Sequence, residues 1–288
     1  MGTSKFAKLD VIKDKIEENK VFEPNPIFLG FIQLPTDYTL DCEIAGILNQ
    51  IKGVKWHLQK LHYNHSDVNI TMKFFQRLRK NIKLATSVFN PQNSSNNDYG
   101  LIKVITLACT SMSFLLTPEV IHNDLFINHN IITNDMATSV LNAVNSLKNQ
   151  KDDKIALLTP YINDVHQCNI DFLSTHGCNI VLNYNLNFKQ DSLTSALNPK
   201  VIELLVCEML NKFEGKIEIF ILGCNAFRVT EYGFIDNLEE KYNIKVVTSN
   251  QATIWHALQL ALANTPNISE IKKIKGYGML FNVDKIIN

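Results

Sequence analysis

The chain of 288 residues has no excess of either charge, because 28 lysines and arginines stand against 28 aspartates and glutamates. A balanced chain sets up no global field, so neither nucleic acid nor an anionic membrane surface is expected as a partner. There is no apolar run of about 18 residues, the length that marks a membrane-spanning helix. The opening stretch, MGTSKFAKLDVIKDKIEENK, is charged and has no apolar centre of the kind a secretory leader carries. Six cysteines are present (Cys42, Cys109, Cys168, Cys178, Cys207 and Cys224), and none of their spacings is of the C-x-x-C kind. His57, His62, His65 and His166 show no metal-ligand spacing either, so no metal is expected. Free, reduced thiols in a cytoplasmic protein are the expectation. The length fits one large domain or two ordinary ones, and 45% hydrophobic residues suffice for a full core.

Against this background two short stretches stand out. VITLACTSMSF begins as a buried strand over 104–107 and then turns to a thiol and two hydroxyls, Cys109, Thr110 and Ser111. KIEIFILGCNAF repeats the design, with an apolar run over 217–222 ending in Gly223, Cys224 and Asn225. A lone cysteine is most often a small buried hydrophobe. Two thiols, each at the carboxyl end of a core strand and each followed by polar residues, call for a joint explanation.

The rest of the chain alternates strand and helix. Residues 5–20 suit a short amphipathic helix that serves packing, ended by Pro24 and Pro26. A first buried strand covers 27–34, and PTDYTLD reads as a loop opening a helix. A helix is expected over 68–84, a polar loop over 90–98, and a helix over 133–147 with Asn134 or Asp135 as N-cap. The second half runs strand 155–158, helix 163–175 closed by Gly177, strand CNIVLNYNL, helix 199–213, strand 217–222, helix 236–242, strand IKVVTSN and helix SNQATIWHALQLALA. The class is therefore α/β with parallel sheets in two pseudo-symmetric lobes, each flanked by helices. One lobe is residues 1–132 with 251–288, carrying Cys109. The other is 133–250, carrying Tyr161 and Cys224. In such sheets ligands bind outside the carboxyl ends of the strands. PTDY, CTS, TPY, GCN and TSNQ all fall there, so these ends should line a cleft between the lobes.

TPYINDV before a helix, then GCNIV, GCNAFR and KVVTSNQATIWHAL, in this order, resemble the aspartate/glutamate racemase superfamily. The branch is that of maleate cis–trans isomerases, arylmalonate decarboxylases and ectoine-utilisation relatives, and the resemblance runs from about residue 27 to 265. It implies two lobes, one cysteine from each facing the other across a closed cleft, no cofactor, and a small carboxylate as substrate. Those cysteines map onto Cys109 and Cys224, and Tyr161 resembles the tyrosine that hydrogen-bonds the substrate carboxylate. The TDYTLD loop looks more like the ectoine-utilisation relatives than the isomerases, which carry asparagine or serine there. Asp191 stands nearest to an isomerase asparagine that meets a substrate carboxylate. TSMSF resembles the TSLSF of the decarboxylases, but those have glycine in place of the first cysteine.

The chemistry agrees with the residues. A thiolate is a strong nucleophile and a thiol a usable acid near neutral pH, so two of them can add to an alkene or move an α-proton between faces. Helix starts after each cysteine are expected to aim N–H groups at the cleft and to lower the pKa of at least one thiol. Thr110, Ser111, Asn225 and Ala226 would then hold the carboxylate with Tyr161. Asp37 is either a substrate group or only the cap of the following helix. If Asp37 and Asp191 face the substrate they repel a dicarboxylate, which makes maleate a poor substrate and favours one carboxylate with a hydrogen-bond donor at the other end. The expected function is a cofactor-independent isomerase or racemase using the cysteine pair. The alternatives are a decarboxylase using Cys224 alone and a non-catalytic carboxylate-binding relative. A homo-oligomer is left open. The other four cysteines, His256 and the remaining histidines are read as packing or surface residues.

Overall fold

A computed structural model describes residues 26–62, 71–90, 102–229, 231–263 and 265–283. The helix expected at 5–20 and most of the polar loop at 90–98 lie outside these residues. Two four-stranded sheets, parallel throughout, form the frame. The first has the order β2-β1-β3-β4, from β1 (Ile27–Gln33), β2 (Val54–Lys60), β3 (Ile102–Leu107) and β4 (Ile132–Asp135). The second has the order β6-β5-β7-β8, from β5 (Lys154–Thr159), β6 (Asn179–Asn185), β7 (Ile219–Leu222) and β8 (Lys245–Thr248). The two orders are the same topology used twice.

The helices are α1 (Leu40–Leu48), α2 (Met72–Ser87), α3 (Thr110–Leu115), α4 (Pro118–Leu125), α5 (Met136–Leu147), α6 (Asn163–Thr175), α7 (Asp191–Ser195), α8 (Pro199–Lys212), α9 (Phe234–Tyr242) and α10 (Ser249–Leu262). Local chemistry fixes their ends. Asp135 caps α5 by accepting from Thr138 N, and Thr248 and Gln251 close a reciprocal capping box on α10. Gly177, at φ 82°, ends α6 in the left-handed conformation that a side chain resists.

Three apolar clusters make up the core. One lies on the outer face of each sheet, the first under α2 and α4 and the second under α8 and α9. The third is shared: Leu29, Phe31 and Val104 of the first sheet and Ile155, Leu157, Ile219 and Ile221 of the second meet α5 and α10 in one continuous cluster around Trp255. Strand alternation explains the sorting, since Ile155 and Leu157 face inward while Ala156 and Leu158 face the outer cluster.

Two expectations are corrected, and Asp135 is the one of the two expected caps that is used. Residues 133–135 are strand rather than helix, so β4 completes the first sheet and the chain crosses to the other side after Asp135, not at 132. The cap is Asp135, and the helical period starts one residue later. After Cys224 there is a turn and not a helix; the next helix is α9.

Candidate active site

The four central strands each end in a site segment. Leu34 to Asp37 follow β1, Ala108 and Cys109 follow β3, Pro160 and Tyr161 follow β5, and Gly223 and Cys224 follow β7. Gly223 lies close on β5: a Cβ there would come within 3.1 Å of Leu157 Cδ1 and 3.2 Å of Thr159 Cγ2, so those side chains would have to shift by a few tenths of an ångström to admit one. Cys109 and Cys224 are both buried, at 1% and 5% exposure.

The residues after the cysteines bind each other. Thr110 N and Oγ1 donate to Asn225 Oδ1 at 3.3 and 3.2 Å, and Asn225 N donates to Thr110 Oγ1 at 3.0 Å. These contacts join the turn after β3 to the turn after β7, and both cysteines act electrostatically on Tyr161. Ser111 Oγ lies 3.6 Å from Cys109 Sγ, and Ala226 N donates to Cys224 Sγ at 3.3 Å. Tyr161 closes the group. Its hydroxyl is buried against Cys224, Cys109 and Thr110, and burial, then Cys224, raises its pKa well above the usual phenol value. Cys224 and Thr110 are near it, yet among the described residues none makes a hydrogen bond of ordinary geometry with that hydroxyl.

Asp37 is 1% exposed and does not stand free. Its Oδ1 accepts from Thr39 N, Thr39 Oγ1 and Leu40 N at 2.8, 3.0 and 3.3 Å, and its Oδ2 accepts from Asn225 Nδ2 at 2.8 Å. It is a cap on the start of α1 and a partner of Asn225. Burial raises its pKa and these four donors oppose the rise. Asp191 opens α7, apart from this group in the chain's course, and the structure describes nothing of its side chain. Asn225 is used at both ends of its amide, by Asp37 and by Thr110, rather than held open for a ligand.

Two participants escaped the reading of the sequence. Asn250 Nδ2 donates to Asn225 O at 2.8 Å, and Thr39 Oγ1 divides its one hydrogen between that oxygen (2.5 Å) and Asp37 Oδ1 (3.0 Å). Their signal was present in the polar ends TDYT and TSNQ, but nothing in the sequence says which carbonyl they meet. His166 was expected in solvent and is buried. It accepts from Thr159 Oγ1 (2.8 Å at Nδ1) and donates to Asn183 Oδ1 (3.1 Å at Nε2), and burial lowers its pKa. That neutral ring braces the strand end from which Tyr161 projects. His256 is buried and structural, as expected. Among the described residues, no group of three His, Cys, Asp or Glu side chains is placed to hold a metal ion, and no helix is long and apolar enough to cross a membrane.

Two parallel sheets of the order 2-1-3-4, with Cys109 after the third strand of one and Cys224 after the third strand of the other, define an α/β fold that uses one topology twice. The arylmalonate decarboxylase family model matches residues 96–274 of this chain, and the chain belongs to that family. Solved structures share the fold. A double mutant of arylmalonate decarboxylase (glycine to cysteine and cysteine to serine, in a liganded form) superposes with a TM-score of 0.69 at 18% identity, over 89% of this chain and 99% of that one. The maleate isomerase Iso from Pseudomonas putida, as a cysteine-to-alanine variant with maleate, gives 0.68 at 13%, over 91% and 99%. A cysteine-to-serine mutant of the Nocardia farcinica maleate cis–trans isomerase, with a covalently bound succinylcysteine intermediate, gives 0.67 at 12%, over 88% and 98%. No curated protein matches the chain by sequence. The neighbours are enzymes of two kinds, isomerases and a decarboxylase.

Proposed function

We propose that the protein is a cofactor-independent isomerase or racemase of a small carboxylic acid, with Cys109 and Cys224 as its reacting pair and maleate-to-fumarate conversion as the nearest analogue. The observation that carries this reading is the second thiol: both Cys109 and Cys224 act on the one buried phenol of Tyr161. The succinylcysteine of the Nocardia farcinica mutant supports it, since that adduct is what a thiol leaves on adding to a butenedioate.

In the isomerase reading the Cys109 thiolate attacks one alkene carbon and a C–S bond forms. The π pair moves to the neighbouring carbon and is delocalised into its carboxylate. Tyr161 donates to that carboxylate, Ser111 lies close enough to Cys109 to assist, and donors fixed in advance stabilise the developing charge without reorganising. The former double bond, now single, rotates. The electron pair then returns, the C–S bond breaks and the trans alkene leaves, with the Cys224 thiol on hand for proton transfer. Racemisation uses the same pair differently: one thiolate takes the α-proton and the other thiol returns one to the opposite face.

The family match supports a second reading, decarboxylation of a substituted malonate with Cys224 as the proton donor to the resulting carbanion. One experiment separates the three. The protein, Cys109→Ala and Cys224→Ala are incubated in deuterated water with maleate, an α-substituted acid of one hand and an arylmalonate, followed by NMR. Isomerisation proceeds without deuterium at carbon, racemisation incorporates it, and Cys109→Ala abolishes both while sparing a Cys224-only decarboxylase. Full turnover by Cys224→Ala on any of these acids overturns the assignment. Because Asp37 is occupied by internal donors, the expected weakness toward maleate rests on Asp191 alone. Fast maleate turnover would remove Asp191 from the site and leave the thiol mechanism standing.

A further inference from the structure

We infer that Asp37 is a positioning residue that sets the direction of the Asn225 side-chain amide and, through it, the spacing of the two cysteine-bearing turns. The inference rests on the reading above only in treating those thiols as the reacting pair.

An asparagine side chain has a donor end and an acceptor end, and packing alone hardly distinguishes them. Here the Nδ2 end meets Asp37 Oδ2 at 2.8 Å, and a carboxylate can only accept, so the amide has one allowed orientation. That orientation points Asn225 Oδ1 at Thr110 N and Oγ1, at 3.3 and 3.2 Å. The flipped amide would set a donor against the Thr110 amide hydrogen and open the link between the two turns. The main chain of Asn225 is held as firmly: its N–H donates to Thr110 Oγ1, and its carbonyl takes Thr39 Oγ1 and Asn250 Nδ2. Asp37, Thr39, Thr110, Asn225 and Asn250 thus form one closed network with a carboxylate as its only charge, and all five are buried. Burying a carboxylate without a cation is expensive, and a neutral side chain would cap α1 nearly as well. What the charge adds is direction. Reacting groups lose rate steeply when displaced by as little as 1 Å, so fixing the turns fixes the chemistry.

The variants Asp37→Asn, Asn225→Asp and Asn225→Ala, and the double Asp37→Asn/Asn225→Asp, test this. Asp37→Asn allows the wrong amide orientation, Asn225→Asp sets two carboxylates face to face, and the double restores one acceptor facing one donor. The readout is the rate at which a short bifunctional alkylating reagent, dichloroacetone, bridges Cys109 to Cys224, followed by peptide mass mapping. Each single variant should bridge at least ten times more slowly than the parent, and the double should return to within threefold. Such recovery measures coupling between 37 and 225 that a merely stabilising residue does not show. Asn225→Ala keeps the Asp37 cap on α1 intact, so it serves if Asp37→Asn fails to fold, and it too should bridge slowly. Parental bridging in Asp37→Asn or Asn225→Ala, or a double variant as slow as the worse single, overturns the inference. Bridging needs no substrate, so absence of turnover on every acid tested counts against the proposed reaction and not against this one.

Discussion

Tyr161 carries a buried hydroxyl set among Cys224, Cys109 and Thr110. Tyr161→Phe deletes that hydroxyl and keeps the ring. Its melting temperature should stay close to the parent's, while kcat/KM on the true substrate should fall by about 10²–10³, the effect of deleting one charge-stabilising donor. Thermal melts and initial rates on the same preparation check both. A destabilised Tyr161→Phe with normal rates would make Tyr161 a packing residue. At this scale the sequence was informative where chemistry depends on residue type. Cys109, Cys224 and Tyr161 stand out because thiols and a phenol at strand ends are rare outside a site. Asp37 was legible only as a choice between cap and ligand, because a carboxylate in a loop can serve either way until its four donors are located.

Two buried titratable groups tie elements together and oppose each other as pH changes. Glu239 of α9 accepts from Val246 N of β8 and from Met279 N of the C-terminal 3₁₀ turn, and burial pushes its pKa up to about 7. His256 of α10 donates from Nδ1 to Asn134 Oδ1 at the end of β4 and accepts at Nε2 from Asn142 Nδ2 of α5, and burial brings its pKa down to about 4. A carboxyl raised when folded binds more protons in the native state, so its stabilising effect is complete below the unfolded value and is lost as pH rises through about 7. A histidine lowered when folded does the reverse. Its contribution is present above the unfolded value of 6.5 and is lost as pH falls through about 4. Each is worth roughly 3 kcal/mol across the window, and in the parent they largely cancel. Glu239→Gln should therefore show stability rising steeply from pH 4.5 to 6.5 in urea melts, and His256→Asn should show it falling as pH rises toward 7. A parallel offset without a change of slope would reject both assignments. Elements were legible in proportion to burial. The apolar central strands β1, β3, β5 and β7 announce themselves. The edge strand β2, VKWHLQK, alternates apolar Val54, Trp56 and Leu58 with Lys55, His57 and Gln59, a period-2 signal that is missed because the strand is short and half exposed. The four residues of β4 end in Asn134 and Asp135, which read equally as a helix start. The turn after Cys224 replaces the expected helix because Thr39 and Asn250, which donate to Asn225 O, and Thr110, whose Oγ1 accepts from Asn225 N, are distant in sequence and hold the backbone of Asn225.

The whole molecule is joined twice, once by the polar network at the strand ends and once by the apolar cluster that both sheets share around α5 and α10. Each sheet has an outer cluster of its own, but among the described residues the inner-face helices pack on each other, with α10 on β1 and β3, α5 beside β8, and α5 against α10. Separating the lobes would break this shared cluster and uncover apolar side chains of both helices at once, and exposing a large aliphatic or aromatic side chain costs about 1.5–3 kcal/mol. That is more than a lobe of this size has in reserve, since whole domains are stable by only about 5–15 kcal/mol. The two lobes are therefore expected to unfold in one transition. Trp255, fully buried in the shared cluster, reports on it, and Trp56→Phe leaves Trp255 as the sole tryptophan signal. In that variant the urea transition followed by fluorescence should coincide with the one followed by far-ultraviolet circular dichroism. Trp255→Ala should lower the circular dichroism midpoint as a whole, by a destabilisation of about 3–5 kcal/mol, because the cavity opens between both sheets at once. If the dichroism signal splits and only half of it moves, the sheets are stable separately. The polar network of Asp37 and Asn225 would then be what keeps the cysteines together.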